Sequence, residues 1–466
     1  MNSVWQQFTL SHVPLSQWQG ASYLHRSLVG LLSSWRQSSW LMQWAEELAA
    51  LLVTLVFGFA PFVSNALIGV LLVACMAFWV LLTLSDEARH PQGDTPTLTP
   101  VHLLVLLYWG IATVATALSP VKVAAFTGLV KLTLYLLLFA LSARILRSPR
   151  IRSWLITLYL HVALIVSVYG LRQWFFGAKA LATWVDPESP LSKTTRVYSY
   201  LGNPNLLAGY LLPAVSLSLV AVFAWRGWIP KALALMMFVV NTACLVLTLS
   251  RGGWIGLVVS IFALLVLLVY WRSVQLPRFW RTWSLPILLG SLAAVLVLAV
   301  VLVEPLRERV LSMFAGREDS SNNFRINVWA AVIEMIRDRP ILGIGPGNTA
   351  FNKIYPLYQL PRYSALSAYS ILLEVAVETG FIGLACFFWL LIVTFNYGIL
   401  QVRRLRQCLS REGFWLMGAI ATLLGMLAHG TVDTVWYRPE VNTLWWLMVA
   451  LIASYFTSPN QKQTTD

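Results

Sequence analysis

Charge is what this chain has least of. Only 11% of its 466 residues are Asp, Glu, Lys or Arg, against 58% that are hydrophobic. A water-soluble fold of this length needs far more polar covering, so the solvent of this one is largely lipid. Acidic residues are the scarcer sign, 19 against 33 Lys and Arg, giving a net charge of +14. That excess does not point to nucleic acid. The basic residues gather in short loops between apolar runs, as orientation signals do, with no stripe of interleaved stacking aromatics. Cysteine is equally sparse: Cys75, Cys244, Cys386 and Cys408 lack metal-ligand spacing or a paired framework and read as packing residues. No metal site and no cofactor motif emerges. A compact basic-apolar-small signal is missing before Ala45, so the first apolar run is expected to be retained.

Long hydrophobic runs are what the chain has instead. Gly252 to Tyr270 and Pro286 to Val303 contain no charged residue; each is about 18–19 residues, near the length that crosses a hydrocarbon core about 30 Å thick. The expected fold class is all-α, a polytopic membrane helix bundle of about twelve transmembrane helices with a large outer helical loop. The expected spans are 45–62, 66–84, 101–118, 121–143, 151–173, 204–224, 231–249, 252–271, 284–303, 370–398, 413–432 and 441–457. Residues 1–44 read as an N-terminal interfacial segment, 45–303 as the first nine spans, 304–369 as a large periplasmic loop, 370–457 as the last three spans, and 458–466 as a cytoplasmic tail. The 22 Trp residues suit interfacial belts.

Orientation follows from the short loops. Arg144, Arg147, Arg150 and Arg152 share one, Arg226 and Lys231 another, Arg272, Arg278 and Arg281 a third, and Arg403, Arg404, Arg406 and Arg411 a fourth. With an even number of spans these loops and both termini fall on one side, expected to be the cytoplasmic face of the inner (plasma) membrane. Segments 174–203 and 304–369 then face outward. The outer block is about 65 residues long, far more than a plain connection needs, so it is where chemistry is to be sought.

Several motifs could carry that chemistry. In Leu247-Thr248-Leu249-Ser250-Arg251-Gly252-Gly253-Trp254, Ser250 can cap the following helix and Arg251 sits beside that helix N-terminus. Guanidinium and backbone N–H groups then converge, which suits an anion or, equally, a lipid phosphate. Asn203, Pro204 and Asn205 read as the start of the sixth span, or as a second polar wall of an outer cavity. In the outer loop a helix is expected from Asn322 to about Arg337, with Arg325 and Trp329 one turn apart. Gly343, Gly345 and Gly347 form a turn that could cradle an anion or simply be tight. Glu374 and Glu378, one turn apart, could bind a cation or pair with a nearby Arg, the latter expected. His429 and Asp433 could be an oriented base or a capping pair. His161, alone in the fifth span, is expected to be packed.

In order, YLGNPN, LSRGGW, FRINVW and LGIGPGN, followed by VETGFIGL, resemble the O-antigen ligase and polymerase superfamily over roughly residues 200–390. Those polytopic proteins act on polyprenyl-diphosphate-linked glycans. Over the whole chain, including QQFTLSH and GREDSSNNFRINVW, the sequence resembles more closely the IctB family of cyanobacteria, associated with inorganic-carbon accumulation and called a bicarbonate transporter. The ligase resemblance implies that Arg251 and Arg325 hold a diphosphate. It also implies a His-Asn pair before the ETG segment, the His serving as base, where this chain has Ala368-Tyr369-Ser370. A phenol, with an unperturbed pKa of about 10, is a poor base near neutrality.

The first functional expectation is therefore inorganic-carbon (bicarbonate) uptake or accumulation, using an outward-facing anion site of Arg251 and Arg325. Asn203, Asn205, Glu378 and Asp433 would support that site. The alternative is a metal-independent glycosyltransferase or ligase acting on a polyprenyl-diphosphate-linked glycan, with His429 or Tyr369 as candidate catalytic groups. A non-transporting accessory subunit is a third. Expected partners are a small anion or lipid-linked diphosphate and membrane lipids, with no nucleic acid.

Overall fold

The structure, a computed structural model, describes residues 3–10, 13, 22–23, 28–86, 98–178, 196–314 and 316–456. The expected tail 458–466 lies outside the described residues, as do parts of 1–44 and 174–203. The described residues form helices and no strand. In chain order the longer ones are α1 (Ala45–Phe59), α2 (Asn65–Ser85), α3 (Pro100–Ala117), α4 (Lys122–Ile145), α5 (Pro149–Phe176), α6 (Pro204–Ala224), α7 (Trp228–Leu247), α8 (Arg251–Arg272) and α9 (Arg278–Leu302). There follow α10 (Glu304–Phe314), α11 (Ser320–Asp338), α12 (Asn348–Ile354), α13 (Ile371–Gln407), α14 (Glu412–Val432) and α15 (Pro439–Ser454).

Among the described residues eleven helices are long and apolar enough to cross a membrane, in keeping with the expected bundle of about twelve. The last expected span, α15, has 16 residues, roughly 24 Å at 1.5 Å per residue. It ends beside the basic loops, where the Tyr455 hydroxyl donates to the Glu412 carbonyl, and it faces protein, every residue but Asn442 being buried. The reverse holds for α9, which has no buried residue and stands at the edge of the bundle.

Glycine sets the centre of the bundle. A Cβ on Gly256 of α8 would lie 2.7 Å from the Gly425 carbonyl of α14, and one on Gly425 would lie 2.7 Å from the Gly256 carbonyl. With no side chain on either, the two backbones touch, the small-residue packing that lipid-embedded helices use. His429 of α14 fills the space beside Gly209 of α6 and Gly252 of α8. Three helix ends, the starts of α6 and α8 and the end of α14, are thereby drawn to one place.

The basic loops gather at the opposite end. Asp86 takes Arg36 at 2.7 Å and Arg144 at 2.6 Å. Arg152 pairs with Glu412, Arg411 donates to the Trp225 carbonyl, and Arg406 donates to Ser273. These contacts link the loops after α2, α4, α6, α8 and α13 into one polar layer.

The outer block folds around its own small core of Val328, Val332, Met335, Ile344, Phe351 and Tyr355, to which Val377 of α13 belongs. The glycine turn is a brace, not an anion cradle. Ile344 N–H donates to the Val377 carbonyl and Gly345 N–H to the Glu378 carbonyl, both at 2.9 Å, while Gly347 N–H serves the Glu378 side chain. The brace fits because α13 breaks at Gly380, whose φ of 66° a Cβ would oppose and whose Cβ would meet the Ile341 carbonyl at 2.1 Å. Two smaller expectations are corrected as well. His161 is exposed rather than packed, and among the described residues its ring nitrogen bonds the Thr157 carbonyl of its own helix. Cys408 is exposed, whereas Cys75, Cys244 and Cys386 are buried packing residues.

Candidate functional site

The turn between α7 and α8 is the hub. Ser250 caps α8 by accepting from Gly253 N–H at 3.2 Å, and Leu249, at a φ of 53°, turns its carbonyl away from the helix. That carbonyl accepts from Arg309 Nε of α10 at 3.0 Å. The neighbouring Thr248 carbonyl accepts from Arg196 Nε, also at 3.0 Å. Arg251 points the other way. Its two terminal nitrogens grip the Asp319 carboxylate at 2.9 and 2.5 Å, and Nη1 also donates to Asn322 Oδ1 at 2.6 Å.

Asp319 is the N-cap of α11, accepting from Asn322 N–H at 2.9 Å. One turn further along α11, Arg325 donates to Ser321 Oγ at 2.8 Å and lies 3.4 Å from Asp433 Oδ2. Asn205 of α6 donates to the same oxygen at 2.6 Å and accepts from Arg196 Nη2 at 3.1 Å. Asn203 caps α6 through Asn205 N–H at 2.8 Å and Leu206 N–H at 3.2 Å. Arg251 and Arg325 thus come together on the first turns of α11, with Asn205 and Asp433 beside them. Asp433 follows the C-terminus of α14, where the helix dipole disfavours a carboxylate; Arg325, Asn205 and the Thr434 N–H at 2.8 Å offset that cost.

His429 and Asp433 do not form an oriented pair. The Asp433 carboxylate is occupied as above, and His429 is packed among the glycines with Nε2 unpartnered. Tyr369 lies near Asp433 and Arg325 and packs edge-on against Phe324, ring centroids 5.3 Å apart. Burial, and then Asp433, push its phenol above the ordinary tyrosine range. Glu374 and Glu378 pair with no Arg: Thr434 Oγ1 donates to Glu374, and Glu378 is held by the brace.

Arg196 and Arg309 were not singled out from sequence. Arg196 is the one Arg of segment 174–203 and carries no motif, Arg309 is one of several Arg in 304–369, and only the meeting of the α7–α8 turn with α10 distinguishes them. Their charge is the key observation. Burial, with Arg325 and Arg251 nearby and opposed by Asp433, lowers Arg196 to about 10. Burial, Arg196 and Arg251 lower Arg309 to about 9. Burial would raise the Asp319 carboxyl, but the Arg251 guanidinium holds it below the usual carboxylate range. Four guanidiniums, those of Arg196, Arg251, Arg309 and Arg325, face two carboxylates, Asp319 and Asp433. The cluster carries two positive charges in excess, and among the described residues the Nε donors of Arg251 and Arg325 have no partner. Forked donors in a water-poor setting suit phosphate oxygens.

Residues 232–388 match the O-antigen ligase family model. The matched segment is about a third of the chain and contains Arg251, Arg309, Arg325, Glu374 and Glu378; Arg196, Asn205, His429 and Asp433 lie outside it. No curated protein matches the chain. With the eleven apolar helices, the ligase match supports a polytopic membrane protein of the O-antigen ligase-related kind. It favours the lipid-linked glycan reading and gives no support to bicarbonate transport or to the narrower cyanobacterial family.

Proposed function

We propose that this protein transfers a glycan from a polyprenyl-diphosphate carrier to a hydroxyl-bearing acceptor, its arginine cluster holding the diphosphate. The observation that carries the reading is the excess of two positive charges among Arg196, Arg251, Arg309 and Arg325. A diphosphate diester carries two negative charges and matches it. The Asp319 carboxylate, gripped by the fork of Arg251, marks where two phosphate oxygens would sit.

In the transfer, the acceptor oxygen bonds to the anomeric carbon as the bond from that carbon to the diphosphate oxygen breaks, and the acceptor hydroxyl's proton passes to the departing diphosphate. Charge grows on the departing diphosphate, where guanidiniums fixed by the Thr248 and Leu249 carbonyls already point. Such preorganised charge is commonly the largest catalytic contribution. Tyr369 is poorly suited to act as the base, because burial and Asp433 raise its phenol above the ordinary tyrosine range. Leaving-group stabilisation therefore carries a larger share here than where a His stands at that position. In this reading the end of the bundle that carries the basic loops is the cytoplasmic one, as charge bias in short loops favours, and the cluster opens outward.

Native mass spectrometry of the purified chain with undecaprenyl diphosphate and undecaprenyl monophosphate tests the reading. The diphosphate is expected to be retained at least tenfold better, and the preference to vanish in Arg325→Ala. Equal retention of both lipids, or an unchanged preference in an Arg251→Ala, Arg325→Ala double variant, would overturn it.

A further inference from the structure

Behind the cluster, the non-helical bridge from Asp433 to Arg438 has a second face. Asp433 looks toward the arginines, whereas Trp436, Tyr437 and Arg438 line two adjoining cavities of about 110 and 360 Å³ on the other side. Lys131, Tyr135, Asn348 and Tyr437 line both, so the two spaces meet. Glu374 and Glu378 stand at the inner one and Arg438 at the outer. We propose that this chamber binds the acceptor, a hydroxylated, sugar-sized molecule bearing an anionic group, with Lys131 and Arg438 on the anion and Glu374 and Asn348 on the hydroxyls.

Three observations support it. Lys131 lies in an apolar span, nine residues into α4, with its side chain exposed and lining both cavities. A cation on an apolar span, facing a cavity, favours an anionic ligand there. Glu374 uses one carboxylate oxygen for Thr434 Oγ1 and keeps the other without a protein partner among the described residues. A carboxylate and an amide accept and donate as vicinal hydroxyls require, and Trp436, Trp446 and Tyr437 supply flat apolar faces for a sugar ring. The third observation is a connection: Glu374 accepts from Thr434 Oγ1, Thr434 N–H donates to Asp433, and Asp433 meets Arg325 and Asn205. A ligand bound at Glu374 thus bears on the bridge that bounds the diphosphate site.

The assignment of the ligand as acceptor rests on the transfer reading; the site itself does not. Equilibrium dialysis of labelled glucose 6-phosphate against the full chain in phosphatidylcholine nanodiscs tests it. Saturable binding is expected, at least tenfold tighter than that of glucose or inorganic phosphate. It should weaken at least tenfold in Lys131→Ala and severalfold in Glu374→Gln, and persist in Lys131→Arg, which separates lost charge from lost fold. Arg251→Ala should leave it within twofold, since the Arg251 side chain bonds Asp319 and Asn322 rather than the bridge. Absence of saturable binding, or indifference to Lys131→Ala and Glu374→Gln, overturns the chamber even if undecaprenyl diphosphate binds. Lys131-dependent binding in a chain that ignores undecaprenyl diphosphate keeps the chamber and defeats the transfer reading. Displacement of the probe by phosphatidylglycerol would overturn the sugar assignment in favour of a lipid headgroup.

Discussion

The two ends of the bundle use arginine in opposite ways. At the end holding the basic loops, Arg152 is fully engaged. Its Nε donates to the Leu146 carbonyl at 2.9 Å, its terminal nitrogens reach Glu412 and the Arg147 carbonyl, and its carbon lies 3.8 Å from the Tyr455 ring centroid. Asp86 is shared by Arg36 and Arg144, whose side chains keep 26% and 23% exposure and so spend their remaining charge on solvent. At the other end, Arg251 is 7% exposed and is crowded by three like charges, with Nε unpartnered. The first pattern closes a fold. The second leaves a buried, unbalanced charge that a ligand can complete.

The sharpest way to break this comparison is to truncate one arginine at each end. Arg152→Ala strips Glu412 of its partner, and loss of one member of a buried pair costs about 3–5 kcal/mol; thermal unfolding should shift strongly with no selective effect on diphosphate binding. Arg325→Ala should lower undecaprenyl diphosphate affinity about a hundredfold, the upper range for a charged hydrogen-bonding group, and because it also strips buried Asp433 of its ion-pair partner it should cost some stability as well. Loss of diphosphate binding in Arg152→Ala as large as in Arg325→Ala would erase the distinction.

Asp319→Asn comes next in size. The amide keeps the cap on α11 while removing the charge that competes for Arg251, so diphosphate should bind roughly tenfold tighter, about 1.4 kcal/mol. Weaker binding would mean that Asp319 positions Arg251 rather than competing for it. The linkage has a sign. The folded-state pKa of Asp319 is depressed, so its ion pair with Arg251 stabilises the protein above the unfolded value, about 3.9, and is lost as pH falls through the lower folded value. Acid unfolding of Asp319→Asn should accordingly be shallower in that window.

A third change probes the frame shared by both ends. Gly256→Ala would press a methyl 2.7 Å from the Gly425 carbonyl, and overpacking of this kind costs about 1–3 kcal/mol. Because Arg251 and Asp433 end the same two helices, diphosphate binding should fall alongside stability. Smallest of all is Tyr369→Phe, expected to leave glycan transfer within about twofold, since a phenol held above its ordinary pKa of about 10 is no base at neutrality. Liposomes holding only this protein should take up labelled bicarbonate no faster than empty ones.

Sequence carried the helical frame well, because lipid demands apolar runs of fixed length and the caps Asn203 and Ser250 are written locally. It showed α15 as an apolar run but not that protein rather than lipid would cover nearly all of it. It read the Gly343–Gly347 turn as open when its N–H groups are spent on α13. At the site, Arg251 and Arg325 were legible from their neighbours in motif. Arg196 and Arg309 were not, because their role depends on two carbonyls, Thr248 and Leu249, brought to them by a turn distant in sequence. Lys131 is a charge in an apolar span, but its chamber is lined by residues far apart in sequence, from α2, α4, α12, α13 and the 433–438 bridge.

A cryo-electron microscopy structure in nanodiscs containing undecaprenyl diphosphate tests the central claim most directly. The account predicts phosphate density between Arg251 and Arg325, with the Asp319 carboxylate displaced from the Arg251 fork. Diphosphate density elsewhere, with the Arg251–Asp319 pair intact, would contradict it.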